Sequence, residues 1–138
     1  MLVKEAMSAK VETISPASTL RQCAHKMDQL CVGAFVVSEH GKPIGIVTDR
    51  DICCRGISAT KDPATVSVRD VMTRDVASCF EDQHCTEAAR IMEEKHLRRL
   101  AVLNRNHALV GLFSIDDLAR YSHELAGAVL DAAAPWPH

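Results

Sequence analysis

A seven-residue pattern occurs twice in this chain, and its recurrence constrains the fold more than any other feature. Gly45-Ile46-Val47-Thr48-Asp49-Arg50-Asp51 and Gly111-Leu112-Phe113-Ser114-Ile115-Asp116-Asp117 each run Gly, two apolar residues, a Thr or Ser, two variable residues and an Asp. An apolar stretch and a short polar turn precede each copy, and an apolar residue, Ile52 or Leu118, follows it. Apolar residues leading to a hydroxyl, with an acid three positions on, spell a strand that ends where a helix starts.

The two copies belong to longer repeats. With Met7 set against Met72 (72 − 7 = 65), Val11 meets Val76, Ala24 meets Ala89, Met27 meets Met92 and Val37 meets Val102. Gly45 then meets Gly111 at an offset of 66. The slip of one residue falls in the turn between two expected strands, where insertions are tolerated. Inside a strand it would turn every following side chain to the wrong face.

Each copy reads strand, helix, strand, strand, helix. In the first, 3–9 is a short helical lead-in and 11–14 alternates like a brief strand. Ser18 is expected to cap a helix whose apolar stripe is Leu20, Cys23, Ala24, Met27 and Leu30, ended by Gly33. Strands are expected over 34–38 and 43–48, then a helix from Thr48 to about Gly56. After a connection over 57–67, the second copy leads in over 68–72 and gives a strand at 76–79. A helix capped by Asp82 follows through Lys95, then strands over 99–103 and 109–113, and one final helix from Ser114 to about Leu130. Pro135 and Pro137 predict a loose tail over 131–138. The expected fold class is α+β: two pseudo-symmetric βαββα repeats, 1–65 with the linker and 66–130. They are expected to share a core, because about 60 residues are too few for a robust private one.

Composition excludes several function classes. The chain has 138 residues, 47% of them hydrophobic and 25% charged, with a formal charge of −2. That supports a buried core and gives no global pull toward nucleic acid or an anionic membrane. No apolar run approaches the roughly 20 residues of a membrane span. The first residues lack a basic region ahead of an apolar stretch, so no signal peptide and a cytoplasmic location are expected. The six cysteines include no Cys-x-x-Cys pair, and Cys53-Cys54 are adjacent, a poor geometry for bridging. Cys23, Cys79 and Cys85 fall among apolar positions and are expected as buried thiols. A redox or metal role for the cysteines stays open. The seven histidines are scattered, and neither a P-loop nor a recurring Cys/His or Ser/His arrangement is present, so no enzyme and no metal site are expected.

Thr48-x-x-Asp51 and Ser114-x-x-Asp117 admit two readings. Both fit the capping box, in which hydroxyl and acid satisfy free backbone N–H groups at a helix start. The same place is where a phosphate is held by N–H groups and the helix dipole, and a carboxylate there suits ribose hydroxyls. A hydroxyl and an acid at a helix start can therefore grip a nucleotide.

At this point the chain resembles a known family. Residues 68–76, 45–52 and 111–118 are similar to a tandem pair of CBS domains, or Bateman module, and the resemblance covers roughly residues 3–121. It implies a ligand-sensing module that binds AMP, ADP or ATP in clefts between the repeats. By position, Asp51 and Asp117 would hold ribose, Thr48 and Ser114 would lie near ribose and phosphate, and Ile46 and Leu112 would wall the adenine. Thr73 and Ser78 lie where the family's first strand approaches adenine and are weaker candidates, as are Ser8 and Thr13 in the first copy. Basic residues commonly open the family's second strand, and here Arg98-Arg99 stand there, suited to phosphate by their planar forks. A solvated helix end is the equal alternative for this pair. The first copy has Gly33-Ala34 instead, so the clefts should differ. Each cleft is expected to draw on both repeats, which sets the arginines opposite Thr48 and Asp51 and makes that cleft the better one. The resemblance further implies a homodimer and a regulated protein partner, since no catalytic domain is appended. A docking protein without ligand, or a module for S-adenosylmethionine, NAD, a cyclic dinucleotide, nucleic acid or a metal, remains as an alternative.

Overall fold

Two structural units form, and their membership interleaves the sequence repeats. In the computed structural model, which describes residues 1–74 and 76–133, one unit is Glu12–Val76. The other joins Met1–Val11 to the chain from Ala77 onward. The lead-in of each repeat therefore packs with the body of the other repeat.

In chain order the first elements are α1 (Val3–Ala6), β1 (Thr13–Ile14), α2 (Leu20–Leu30), β2 (Ala34–Glu39), β3 (Lys42–Thr48) and α3 (Asp49–Asp51). The single turn of α3 runs on as a π-helical turn, Ile52–Ile57, and a 3-10 turn covers Val68–Asp70. Then come β4 (Ser78–Phe80), α4 (Cys85–Lys95), β5 (Arg99–Leu103), β6 (Leu109–Ser114), α5 (Ile115–Tyr121) and α6 (His123–Ala133). Each unit holds a three-stranded sheet, β1-β2-β3 or β4-β5-β6, its first pair parallel and its second antiparallel. This is the expected α+β class with two matching repeats.

Period-two alternation decides which strand residues enter the core. Phe35, Val37 and Val47 join Leu20, Cys23 and Met27 of α2 in one buried cluster. Leu100, Val102 and Phe113 join Cys85, Ala89 and Met92 of α4, together with Val3, in the other. Phe35 and Phe113 are at most 1% exposed, and burying such a side chain stabilises the fold by about 1.5–3 kcal/mol. The hairpin between β2 and β3 turns on His40 and Gly41, both at positive φ (53° and 76°), as a two-residue turn matched to strand twist requires.

Several helix boundaries differ from expectation, each for a local reason. Thr19, not Ser18, caps α2, with Thr19 Oγ1 accepting from Gln22 N at 3.1 Å and Gln22 Oε1 accepting from Thr19 N at 2.9 Å. The helix ends at Cys31 rather than Gly33. Cys31 adopts the left-handed conformation (φ 55°), and Val32 N donates to Met27 O at 3.1 Å, the bond of a Schellman end. His96 repeats that geometry after α4. Of the expected α2 stripe, Ala24 and Leu30 are exposed. Asp82 does not cap α4; its carboxylate takes a two-bonded ion pair from Arg105 at 2.8 and 2.9 Å. His84 is the cap, its Nδ1 3.2 Å from Thr86 N. The final helix is two helices, because Ser122 turns extended (φ −154°) and its Oγ accepts from Leu125 N at 3.2 Å. Of the expected tail, 131–133 belong to α6, and 134–138 lie outside the described residues.

Cys23, Cys79 and Cys85 are buried, as expected, while Cys31, Cys53 and Cys54 are exposed. Burial pushes the Cys23 thiol up to about 11 and the Cys79 thiol to about 12, and raises that of Cys85. A thiol reagent at pH 8 should therefore label three cysteines in the native protein and all six in urea, as counted by intact mass. The unfolded chain loses these thiol protons near the ordinary value of 9.0, and the fold holds them to about 11 or 12. Stability from this source is therefore complete below pH 9 and falls as pH rises through that window.

Candidate ligand site

The site candidates sit where β3 and β6 hand over to helices. Thr48 N donates to Asp51 Oδ2 at 2.9 Å, and Asp51 N donates to Thr48 Oγ1 at 3.1 Å. Ser114 N donates to Asp117 Oδ2 at 2.9 Å, and Asp117 N to Ser114 Oγ at 3.3 Å. Both turns are thus complete capping boxes, so each acid already has one structural task.

What remains free differs between the copies. Asp51 Oδ1 has no hydrogen bond among the described residues; its nearest cation is Arg55 Nε at 3.9 Å, on a half-exposed side chain. Such a loose surface pair is worth ~0–1 kcal/mol. No described acceptor takes the Thr48 hydroxyl proton. In the second copy Ser114 Oγ donates to Asp117 Oδ2 at 3.1 Å, and Arg120 Nη1 donates to Asp117 Oδ1 at 3.3 Å. Both Asp117 oxygens and the Ser114 hydroxyl are therefore engaged. Exposure follows the same order: the Asp51 side chain is 15% accessible and that of Asp117 is 6%. Asp117 borders a hollow of about 220 Å³ with Arg120, Tyr121, Met1 and Glu5, below the roughly 300–1,000 Å³ of ordinary small-molecule sites.

The glycine that opens each motif has a packing role. A Cβ on Gly45 would lie 2.6 Å from Met72 Sδ and 2.9 Å from Thr73 O. A Cβ on Gly111 would strike the Met7 side chain and come within 3.1 Å of Ser8 O. The missing side chain lets a lead-in segment lie against the strand, where Ile46 and Thr73 exchange two backbone bonds of 2.9 Å. Leu112 and Ser8 do the same at 3.0 and 2.9 Å.

These bridges align candidates that looked unrelated in sequence. In one unit Thr13 pairs with Val36, Val36 with Ile46, and Ile46 with Thr73. In the other, Ser78 pairs with Ala101, Ala101 with Leu112, and Leu112 with Ser8. Each row crosses its sheet as hydroxyl, aliphatic, aliphatic, hydroxyl. Residues in register on neighbouring strands present their side chains on one face, here the face opposite Phe35 and Val37 or Leu100 and Val102. Val36 and Ala101 were not singled out by sequence, since only the cross-strand register reveals them.

Arg98 and Arg99 lie in the same unit as Ser114 and Asp117. Arg98 O accepts from Ile115 N at 2.9 Å, and Arg99 is the strand partner of Ser114. In the first copy Gly33 O accepts from Asp49 N at 3.0 Å, and the Asp49 carboxylate leans over Gly33, 3.2 Å from where a Cβ would stand. An acidic side chain thus lies beside the position that holds an arginine in the second copy. Among the described residues no group of three or more His, Cys, Asp or Glu side chains is placed to hold a metal, and no helix is long and apolar enough to cross a membrane.

The family signature described as CBS domain matches residues 3–56 and 68–124. The chain belongs to the CBS-domain family. It is 36% identical over 130 residues to the CBS domain-containing protein YhcV of Bacillus subtilis, covering 93% of this chain and 91% of that protein. It is 34% identical to an uncharacterized Methanopyrus kandleri protein, of whose length it spans 65%. Among solved structures, a conserved CBS domain protein of unknown function from Thermoplasma acidophilum matches with a TM-score of 0.86 at 26% identity, covering 96% of this chain and 75% of that one. A CBS domain protein from Pyrobaculum aerophilum complexed with AMP matches with a TM-score of 0.80 over 92% of this chain and 99% of that one. At 23% identity, that likeness bears on the fold alone. The protein is a CBS pair, a regulatory module.

Proposed function

We propose that this CBS pair senses an adenine nucleotide, AMP, ADP or ATP, and grips it first at Thr48 and Asp51. The observation that carries the proposal is the pair of unused groups there, a hydroxyl proton and a carboxylate oxygen, at the start of a helix. A carboxylate oxygen accepts from ribose hydroxyls, and bonds to an ionised acceptor contribute about 1.5–3 kcal/mol each. Ile46, partly exposed, offers an aliphatic contact for the base in a row with the Thr13 and Thr73 hydroxyls. Val36, between Thr13 and Ile46, is 1% exposed and backs the row from within. Arg98 and Arg99 are assigned to phosphate on the expectation that a cleft draws on both repeats. Ser114, Asp117, Leu112 and Ser78 form the weaker second site. The AMP complex of the Pyrobaculum aerophilum protein shows that a chain of this fold can hold that class of ligand.

The module is proposed to be cytoplasmic, homodimeric and non-enzymatic, acting on a partner protein by differential affinity: ligand stabilises the arrangement it binds better. A docking role without ligand is the second reading, favoured by the capping work both acids already perform and by Gly33 in place of an arginine.

A thermal-shift panel with AMP, ADP, ATP, S-adenosylmethionine, NAD and zinc separates these readings. A ligand confined to the native state adds roughly 2.7 kcal/mol at a hundred times its Kd. One or more of AMP, ADP and ATP should raise Tm in the wild type and not in Asp51→Ala. No shift with any adenine compound would leave the docking role.

A further inference from the structure

Each candidate acid has an arginine on its own helix, and the two arginines are placed differently. In the second copy Arg120 stands three positions after Asp117, and its Nη1 donates to Asp117 Oδ1 at 3.3 Å. The repeat offset of 66 sets Cys54 against Arg120 (120 − 54 = 66) and Arg55 against Tyr121 (121 − 55 = 66). The first copy therefore carries its arginine one position later, four after Asp51, and on a different wind. There Ile52–Ile57 is the π-helical turn, with Ser58 N donating to Cys53 O at 2.7 Å, where the second copy runs on as α5. On this turn Arg55 Nε stays 3.9 Å from Asp51 Oδ1, outside hydrogen-bond range. Arg55 Nη1 donates to Val71 O at 3.4 Å, a long bond. Val71 belongs to the lead-in whose Thr73 pairs with Ile46. The guanidinium thus spans from the free oxygen of the acid to the segment beside the Ile46 row. Of its five N–H donors that one alone has a described acceptor, and the side chain is 55% exposed.

We propose that Arg55 is a specificity-determining residue of the Thr48/Asp51 site: it contacts the phosphate of a nucleoside 5′-phosphate whose ribose Asp51 holds. The inference deepens the nucleotide reading and rests on it. A ribose that donates to Asp51 Oδ1 carries its 5′-phosphate within one side chain's reach of that oxygen, and Arg55 is the cation already standing there. A guanidinium with a free fork donates two parallel bonds to phosphate oxygens. Its distance from the carboxylate matters. Asp51 keeps an acceptor for ribose, and Arg55 keeps its donors for phosphate. Arg120 instead spends a bond on Asp117 Oδ1, so the second acid and its arginine satisfy each other. The unit Glu12–Val76 then holds a hydroxyl, a ribose acceptor, an aliphatic contact and a phosphate donor of its own. Arg55 thereby separates AMP from adenosine, which differ only in the phosphate.

The test is calorimetric titration of AMP and of adenosine into the full chain and its variants. Wild type should bind AMP more tightly than adenosine. Arg55→Ala should weaken AMP about tenfold or more and leave adenosine within about twofold, so that the preference collapses. Arg55→Lys should recover part of the AMP affinity, because a point charge keeps the attraction and loses the fork. Lys42→Ala, at the opposite end of β3 from Thr48, removes the same charge and should leave both affinities unchanged. Both substituted positions are exposed, and circular dichroism checks that each variant folds. An equal loss of AMP and adenosine in Arg55→Ala would make Arg55 a support for Asp51 alone and overturn the proposal. AMP affinity indifferent to Arg55→Ala, a loss matched by Lys42→Ala, or a wild type that binds adenosine as tightly as AMP would overturn it too. In all of these cases AMP still binds the wild type, and the nucleotide reading stands. A wild type that binds neither compound defeats that reading and the role of Arg55 with it.

Discussion

Gly45→Val is expected to destabilise the protein by about 3 kcal/mol, more than any other single change at the candidate site. The added Cβ would stand 2.9 Å from Thr73 O, a backbone atom that cannot swing aside, and 2.6 Å from Met72 Sδ. Relief of that clash separates the lead-in segment from β3 and breaks both backbone bonds between Ile46 and Thr73. Overpacking accounts for ~1–3 kcal/mol, and each lost bond for about 1 kcal/mol. Gly45→Ala should show the same sign at smaller size. Gly127 is the control: in α6 nothing lies within 4 Å of its would-be Cβ, so Gly127→Ala should stabilise by about 0.5–1 kcal/mol through helix propensity. Urea midpoints at constant slope measure both. A Gly45→Val midpoint within ~0.5 kcal/mol of wild type would contradict the packing role assigned to this residue.

The repeat was legible in sequence because it rests on patterns that backbone geometry enforces directly. Alternating apolar residues placed β2, β3, β5 and β6 to within a residue or two, and the hydroxyl-x-x-acid spacing marked both helix starts. Boundaries set by competition between neighbours were less legible. Ser18 and Thr19 are both good caps, and the choice went to Thr19 because Gln22 can return the bond. His84 outside the usual capping set displaced Asp82, which Arg105 had drawn into an ion pair 23 residues away. The break at Ser122 left a trace, a hydroxyl three residues before Leu125, that the apolar stripe running through it concealed.

The candidate site divides in the same way. Thr48, Asp51, Ser114 and Asp117 follow from local spacing, and the structure adds which of their atoms are already engaged. Ile46 with Thr73, and Leu112 with Ser8, pair through segments 27 and 104 residues apart in sequence. Only tertiary register could line them up with Val36 and Ala101. Arg98 and Arg99 were visible as an asymmetry between the copies, whereas the Asp49 carboxylate over Gly33 was not.

Asp51 and Asp117 provide the sharpest contrast, because they occupy equivalent positions with unequal duties. In Asp51→Asn the carbonyl oxygen can stay on Thr48 N, so the cap survives. The amide NH2 then faces outward where the free Oδ1 stood, presenting donors to ribose hydroxyls that require an acceptor. Loss of two hydrogen bonds to a charged group amounts to about 3 kcal/mol, or roughly 100-fold in affinity. Asp117→Asn disturbs an acid already held by Ser114 and Arg120, and should change affinity by no more than about threefold. Calorimetric titration of AMP into wild type, Asp51→Asn and Asp117→Asn tests the account most directly. It predicts a site abolished or weakened about 100-fold in Asp51→Asn and nearly intact in Asp117→Asn. Equal losses in the two variants, a larger loss in Asp117→Asn, or no binding heat in the wild type would contradict it.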